Sequence, residues 1–145
     1  MAGYKQILVA VDFSEHSERV IEKAVDMAHQ QGAAVNVIHV VDYFPMMDSA
    51  YDGALAYSVD MTDELVESSR KRLDEFGGRY QLTSEQLSVE VGAVRKEIIS
   101  AAEKIDADLI VIGSHGWRGI DLLLGSTADG VLHHAGCDVL VVRVD

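Results

Sequence analysis

Three glycines and two hydroxyl residues stand where a phosphate could be held. Gly113, Gly116 and Gly125 punctuate the stretch GSHGWRGIDLLLGSTAD over residues 113–129, and Ser126 and Thr127 come directly after the last of them. Glycine lets a backbone approach an anion with no Cβ in the way, and the N–H groups at the start of a following helix would face that anion. Ser126 suits the N-cap of such a helix. With Asp129 three residues on, it forms a variant of the capping box. An ordinary helix start is therefore the competing reading, but it leaves Gly113 and Gly116 without a role. The loop is neither a Walker A sequence, because no G-K-[ST] comes after the glycines, nor the G-x-G-x-x-G dinucleotide fingerprint. Arg118 is the only Lys or Arg between Gly113 and His133. Phosphate charge would fall to backbone N–H groups, to Arg118 and to a divalent ion.

Composition narrows the partners. With 145 residues, 48% of them apolar and 25% charged, the chain suits one domain over 1–145 with a real core. Twenty-four acidic residues against twelve basic ones give a formal charge of −12. That charge repels nucleic acid and anionic membrane surfaces. A small phosphate ligand is still admissible, since exposed charges are screened within roughly 8 Å at physiological salt. Cys137 is the only cysteine, and no charged segment precedes an apolar one at the start, so a disulfide framework and a signal peptide are not indicated. No apolar run approaches the ~18 residues needed to span a bilayer. A soluble protein of the reducing cytoplasm is expected.

The elements that would position the glycine loop are set by periodicity. Residues 7–11, ILVAV, form a continuous apolar run with Asp12 at its end, the pattern of a strand buried on both faces. Ser14 can cap a helix over 14–31, in which Val20, Ile21, Ala24, Val25 and Ala28 repeat at helical spacing up to Gly32. A second strand is predicted over 33–41; His39 inside it reads as a packed residue rather than a ligand. Residues 43–57 lack a period and hold the only proline, Pro45, so they read as a long loop. Met61, Leu65, Leu73, Phe76 and Tyr80 mark the apolar stripe of a second helix, which Gly77 and Gly78 should fray or end. Leu87, Val89 and Val91 alternate with polar residues as a half-exposed edge strand would.

A third helix is predicted over 96–105, a fourth strand over 107–112, a fourth helix from Ser126 closed by Gly136, and a fifth strand over 137–144. His133 and His134 are adjacent and cannot form an i, i+4 metal pair. Cys137 reads as a small packed residue. The alternation of strand and helix implies a doubly wound parallel sheet, Rossmann-like, with helices on both faces. Ligands in such sheets bind beyond the carboxyl ends of the strands where the order reverses, which would bring Asp12 and the Gly113 loop to one crevice. A phospho-receiver shares the α/β order but needs an Asp ending strand three, where this chain has Gly92-Ala93-Val94.

Four ordered phrases carry a resemblance over nearly the whole chain: ILVAVDFSEHSERVIEKAVDMA, VIHVVD, ADLIVIGSHG and LLLGSTADGVLHHAGCDVLVVRV. Together they are similar to the universal stress proteins. The resemblance implies a five-stranded sheet ordered 3-2-1-4-5, a homodimer and, in one branch, ATP binding through G-2x-G-9x-G-[ST]. Here Gly113 to Gly116 supplies the first part and Gly125-Ser126 the last, with eight residues rather than nine between Gly116 and Gly125. By motif position Asp12 would contact adenosine with Ala10 beside it, Val40 and Ile112 would flank the base, and Gly113 would meet the ribose. Gly116, Gly125, Ser126 and Thr127 would hold phosphates. Asp12 as a helix cap, and Val40 and Ile112 as simple core, stand as the alternatives.

The function expected is a nucleotide-binding regulator that takes ATP, with Mg2+ or Mn2+, or AMP, and whose occupancy changes how it meets a protein partner. A slow ATPase or self-phosphorylating enzyme is the second class, since Ser126 and Thr127 would lie beside the phosphates, but no assigned base accompanies them. A dimeric interaction module without nucleotide is the third. The apolar strand over 137–144 would pair with its copy in a second subunit, because an uncovered apolar edge invites aggregation.

Overall fold

The computed structural model describes residues 3–42, 52–114 and 125–144. Within them the chain runs β1 (Gln6–Ala10), α1 (Ser17–Gln31), β2 (Ala34–Asp42), α2 (Asp52–Tyr80), β3 (Leu87–Gly92), α3 (Val94–Lys104), β4 (Leu109–Gly113), α4 (Ser126–His134) and β5 (Asp138–Val142). The strands form one sheet in the order β3-β2-β1-β4-β5, and every neighbouring pair is parallel.

Apolar β1 sits at the centre, with Val9 opposite Val37 of β2 on one side and Val111 of β4 on the other. Alternation along the strands separates two cores. Ile7, Val9, Val35, Val37 and Val111 face Val20, Ile21 and Ala24 of α1 and Leu73 of α2. Leu8, Ile38, Val40, Ile110 and Ile112 face Ile98 and Ala102 of α3 and Ala128 and Val131 of α4. Burial on both sides is why these strands read as unbroken apolar runs rather than as alternating ones. Asp108, just before β4, accepts hydrogen bonds from the N–H groups of Lys5 and Gln6 at 2.9 and 3.1 Å, which locks β1 and β4 in register. The carboxyl ends of these two strands therefore finish side by side.

Four expectations change. First, α1 begins at Ser17, not Ser14, with His16 at the N-cap position and no side-chain cap. Phe13 adopts φ 61°, a left-handed turn that spends residues 14–16 on reversing the chain before the helix can start. Second, α2 already runs through Asp52–Tyr57, which the missing period had placed in a loop; the remainder of that loop, 43–51, lies outside the described residues. Extending a helix costs little once a packed segment such as the one around Leu73 has nucleated it.

Third, α2 continues through Gly77 and Gly78 to Tyr80. Gly77 serves close approach: a Cβ there would stand 2.9 Å from Leu87 Cδ1 and 3.0 Å from the Leu82 carbonyl oxygen. Gln81, at φ 59°, makes the turn out of the helix. Fourth, Leu65 of the predicted apolar stripe is 52% exposed. At 1.5 Å per residue α2 is about 43 Å long, far more than the strands it covers, so its early turns pass beyond the sheet. β3 is the expected half-exposed edge, paired among the described residues to β2 alone.

Candidate functional site

The site is built where the sheet order reverses, beyond the carboxyl ends of β1 and β4. On the β1 side the Val11 N–H still bonds the Ile38 carbonyl at 3.0 Å, carrying the ladder one residue past the strand. Asp12 comes next. Its Oδ1 accepts hydrogen bonds from the Ser14 N–H at 2.9 Å and the Ser17 hydroxyl at 3.2 Å. The carboxylate is thus held against the entry to α1, so the helix-cap alternative has a real counterpart, although it is the turn and Ser17 that are held rather than an N-cap.

On the β4 side Gly113 ends the strand, and buried Ser114 ties that end to β5 and to α4. Its N–H donates to the Val142 carbonyl at 2.8 Å and its Oγ accepts from the Val144 N–H at 3.1 Å. Its carbonyl accepts from the Gly125 N–H at 2.7 Å. That last bond joins the two ends of the glycine loop, so α4 must start beside the end of β4. Gly125, not Ser126, is the N-cap residue of α4, and it brings no side chain of its own to cap the helix. The extended backbone of Gly125, at φ −60° and ψ 151°, moves Ser126 into the first turn, where helical N–H groups have no acceptor inside the helix. Such an end favours an anion.

Between these two sides lies a cavity of about 720 Å³, within the range of small-molecule sites. Ala10, Asp12, Val40, Ile112, Gly113, Gly125, Ser126 and Thr127 all line it. The fold thus gathers eight of the ten residues singled out from the sequence; Gly116 and Arg118 lie outside the described residues. Val40 and Ile112 are 7% and 6% exposed, so they serve the α3/α4 core and the cavity wall together. Leu65 and Ser69 of α2 and Val94 and Ile98 of α3 complete the wall, although no motif marks them. Leu65 carried a signal, because an apolar residue early on a helix longer than the strands must meet something other than the sheet.

Over residues 3–143 the chain matches the Universal stress protein family. It belongs to that family. It is 40% identical to universal stress protein A homolog 2 of Coxiella burnetii over 145 residues, 99% of this chain and 98% of that one. Among solved structures it is similar to the universal stress protein UspA from Lactobacillus plantarum, with a TM-score of 0.80, 28% identity and coverage of 99% and 100% of the two chains. A universal stress protein solved in complex with cAMP shares the fold at a TM-score of 0.59 and 24% identity, over 97% of each chain.

The universal stress protein cleft has a titratable group in its wall, His39. Its ring lies 4.2 Å from the Phe13 ring, and the Arg72 guanidinium carbon sits 4.5 Å from the Phe13 centroid. The His39 Nδ1–H donates to the Val11 carbonyl at 2.8 Å. Burial pushes the imidazole pKa below its ordinary 6.5 and Arg72 lowers it further, while the Val11 carbonyl and the charge of Asp12 act in the opposite sense without cancelling the burial. The folded protein therefore favours neutral His39.

Because the folded value is the lower one, the stabilisation is complete above the ordinary pKa and fades as pH falls through the folded pKa. The urea midpoint of the wild-type protein should fall between pH 7.5 and pH 5 more steeply than that of His39→Gln. Parallel midpoints in the two proteins would refute this. Elsewhere, burial raises the Cys137 thiol pKa, with Asp138 and Asp108 adding to it, which keeps the thiol protonated and poorly nucleophilic. His133 Nδ1 bonds the Asp129 carbonyl of its own helix at 2.8 Å. Among the described residues no group of three His, Cys, Asp or Glu is placed to hold a metal ion.

Proposed function

We propose that the chain is a nucleotide-binding regulatory protein that holds ATP, with AMP as the smaller alternative, in the cleft between Asp12 and the 113–127 loop. The observation that carries this reading is the cavity of about 720 Å³ at the strand-order reversal, with an apolar floor at one end and the glycine-led start of α4 at the other. An adenine ring suits the floor made by Val40 and Ile112, with Ala10 and Asp12 beside it. Phosphates suit the turn over Gly125, Ser126 and Thr127, where the Ser126 and Thr127 N–H groups can donate with no Cβ on Gly125 in the way. Gly116 and Arg118 join that set by motif position, and Mg2+ or Mn2+ would offset charge that a chain of −12 otherwise repels.

Asp12 is already bonded to Ser14 and Ser17, which suits a group that orients a ligand rather than one that takes protons from it. Bound ATP should persist for many minutes, and its occupancy would act through a protein partner. We also propose that the chain works as a homodimer joined along β5.

Mass analysis of nucleotide released by heat from freshly purified protein, combined with calorimetry using ATP, AMP and cAMP, tests the reading. Released ATP or AMP supports it. No released nucleotide together with no heat of binding would overturn it, and rapid ADP formation would favour an enzyme instead.

A further inference from the structure

We infer that Arg95 and Lys96, at the start of α3, form a cationic extension of the cleft that receives the distal phosphates of a polyphosphate nucleotide. The inference rests on the nucleotide reading of the main cleft. A second cavity, of about 250 Å³, adjoins the first and shares Asp42, Val94, Ser126 and Thr127 with it; Arg95 and Lys96 form its outer wall. The glycine loop contains one cation, Arg118, yet the packing of α3 on α4 sets two more beside Ser126 and Thr127. Among the described residues neither Arg95 nor Lys96 is held in an ion pair. Asp42 stands on the same wall and opposes an anion, but two cations outweigh one carboxylate.

The position of Arg95 is built into α4. A Cβ added to Gly130 would stand 2.5 Å from Arg95 Cδ and 3.2 Å from its Cγ, so the arginine stem crosses the helix at its one residue without a side chain. Gly130 is buried within a nine-residue helix, where glycine is less favourable than any residue but proline. Room for Arg95 gives that glycine a reason. The guanidinium is thereby anchored by its stem on α4, while Lys96 is a mobile point charge, a combination suited to an extended phosphate chain.

Three ligands separate the possibilities by calorimetry: ATP, AMP and adenosine. Replacing both cations together, Arg95→Gln with Lys96→Gln, keeps aliphatic stems and should weaken ATP about 10- to 100-fold, the scale of lost charge-assisted hydrogen bonds. AMP should change less than about threefold and adenosine not at all, since neither reaches the second cavity. Gly130→Ala should raise Tm through helix propensity yet weaken ATP, because its methyl group displaces Arg95. ATP bound equally by wild type and the double variant would overturn the extension alone, as would an equal loss for all three ligands. No binding of any of the three to the wild-type protein would overturn the nucleotide reading and the extension with it.

Discussion

Gly125→Val is expected to weaken ATP binding by a factor on the order of 100 or more while leaving the sheet folded, a difference of about 3 kcal/mol. The two halves of this result have separate causes. Gly125 has φ −60° and ψ 151°, a conformation open to any residue, so the backbone itself does not demand glycine. Exchanging glycine for valine at an N-cap costs the helix about 1 kcal/mol or less, and the Gly125 N–H to Ser114 bond is made by backbone atoms that the substitution keeps. In the proposed function it is the ligand that demands glycine. A branched side chain at Gly125 would project where phosphate oxygens must approach the first-turn N–H groups of α4. Calorimetry on the variant, with circular dichroism as the check on folding, reads both halves. Unchanged ATP affinity in a folded variant would remove the phosphate role of this loop.

If the proposed pairing along β5 holds, wild type is expected to sediment as a dimer at micromolar concentration and Val141→Lys as a monomer. Among the described residues β5 pairs with β4 alone, so its other edge offers backbone donors and acceptors to a partner strand, and Val139, Leu140 and Val141 are only half-buried. Pairing with the same strand of a second copy about a two-fold axis would cover those groups and close the contact. A lysine at Val141 would set two like charges close together across that axis, while its long stem could still reach water in the monomer. Sedimentation of wild type and variant decides the matter. A wild-type protein that already sediments as a monomer, or a variant that stays dimeric, would count against the β5 contact.

Legibility differed between fold and site. Ile7, Leu8 and Val9, or Ile110 and Val111, announce buried strands because each faces a helical layer whichever way its side chain points. On the apolar stripe of α2 the pattern placed Leu73 in the core, but not Leu65, which is half exposed. Boundaries failed where a single backbone conformation overrode the pattern. Phe13 at positive φ delayed α1 to Ser17, and the extended Gly125 took the N-cap from Ser126. Gly77 looked like a stop and proved to be a contact with Leu82 and Leu87. Of the residues that line the cavity, Asp12 and Gly113 were legible because they end neighbouring strands of a parallel sheet, whereas Val40 and Ile112 were singled out only by the family resemblance.

Local chemistry in the chain determined the element types, the parallel α/β class and the pairing of Asp12 with the glycine loop, since periodicity and turn residues act over a few neighbours at a time. The resemblance to the universal stress proteins added the strand order. Only the tertiary structure decided which helix residues join them in the cleft. Leu65 and Ser69 enter it because α2 outruns the sheet. Arg95 and Lys96 stand beside Ser126 and Thr127 because α3 and α4 pack on one face, with the arginine stem lying over Gly130. Their spacing in sequence carries no trace of that meeting, because side-chain packing between layers has no period along the chain.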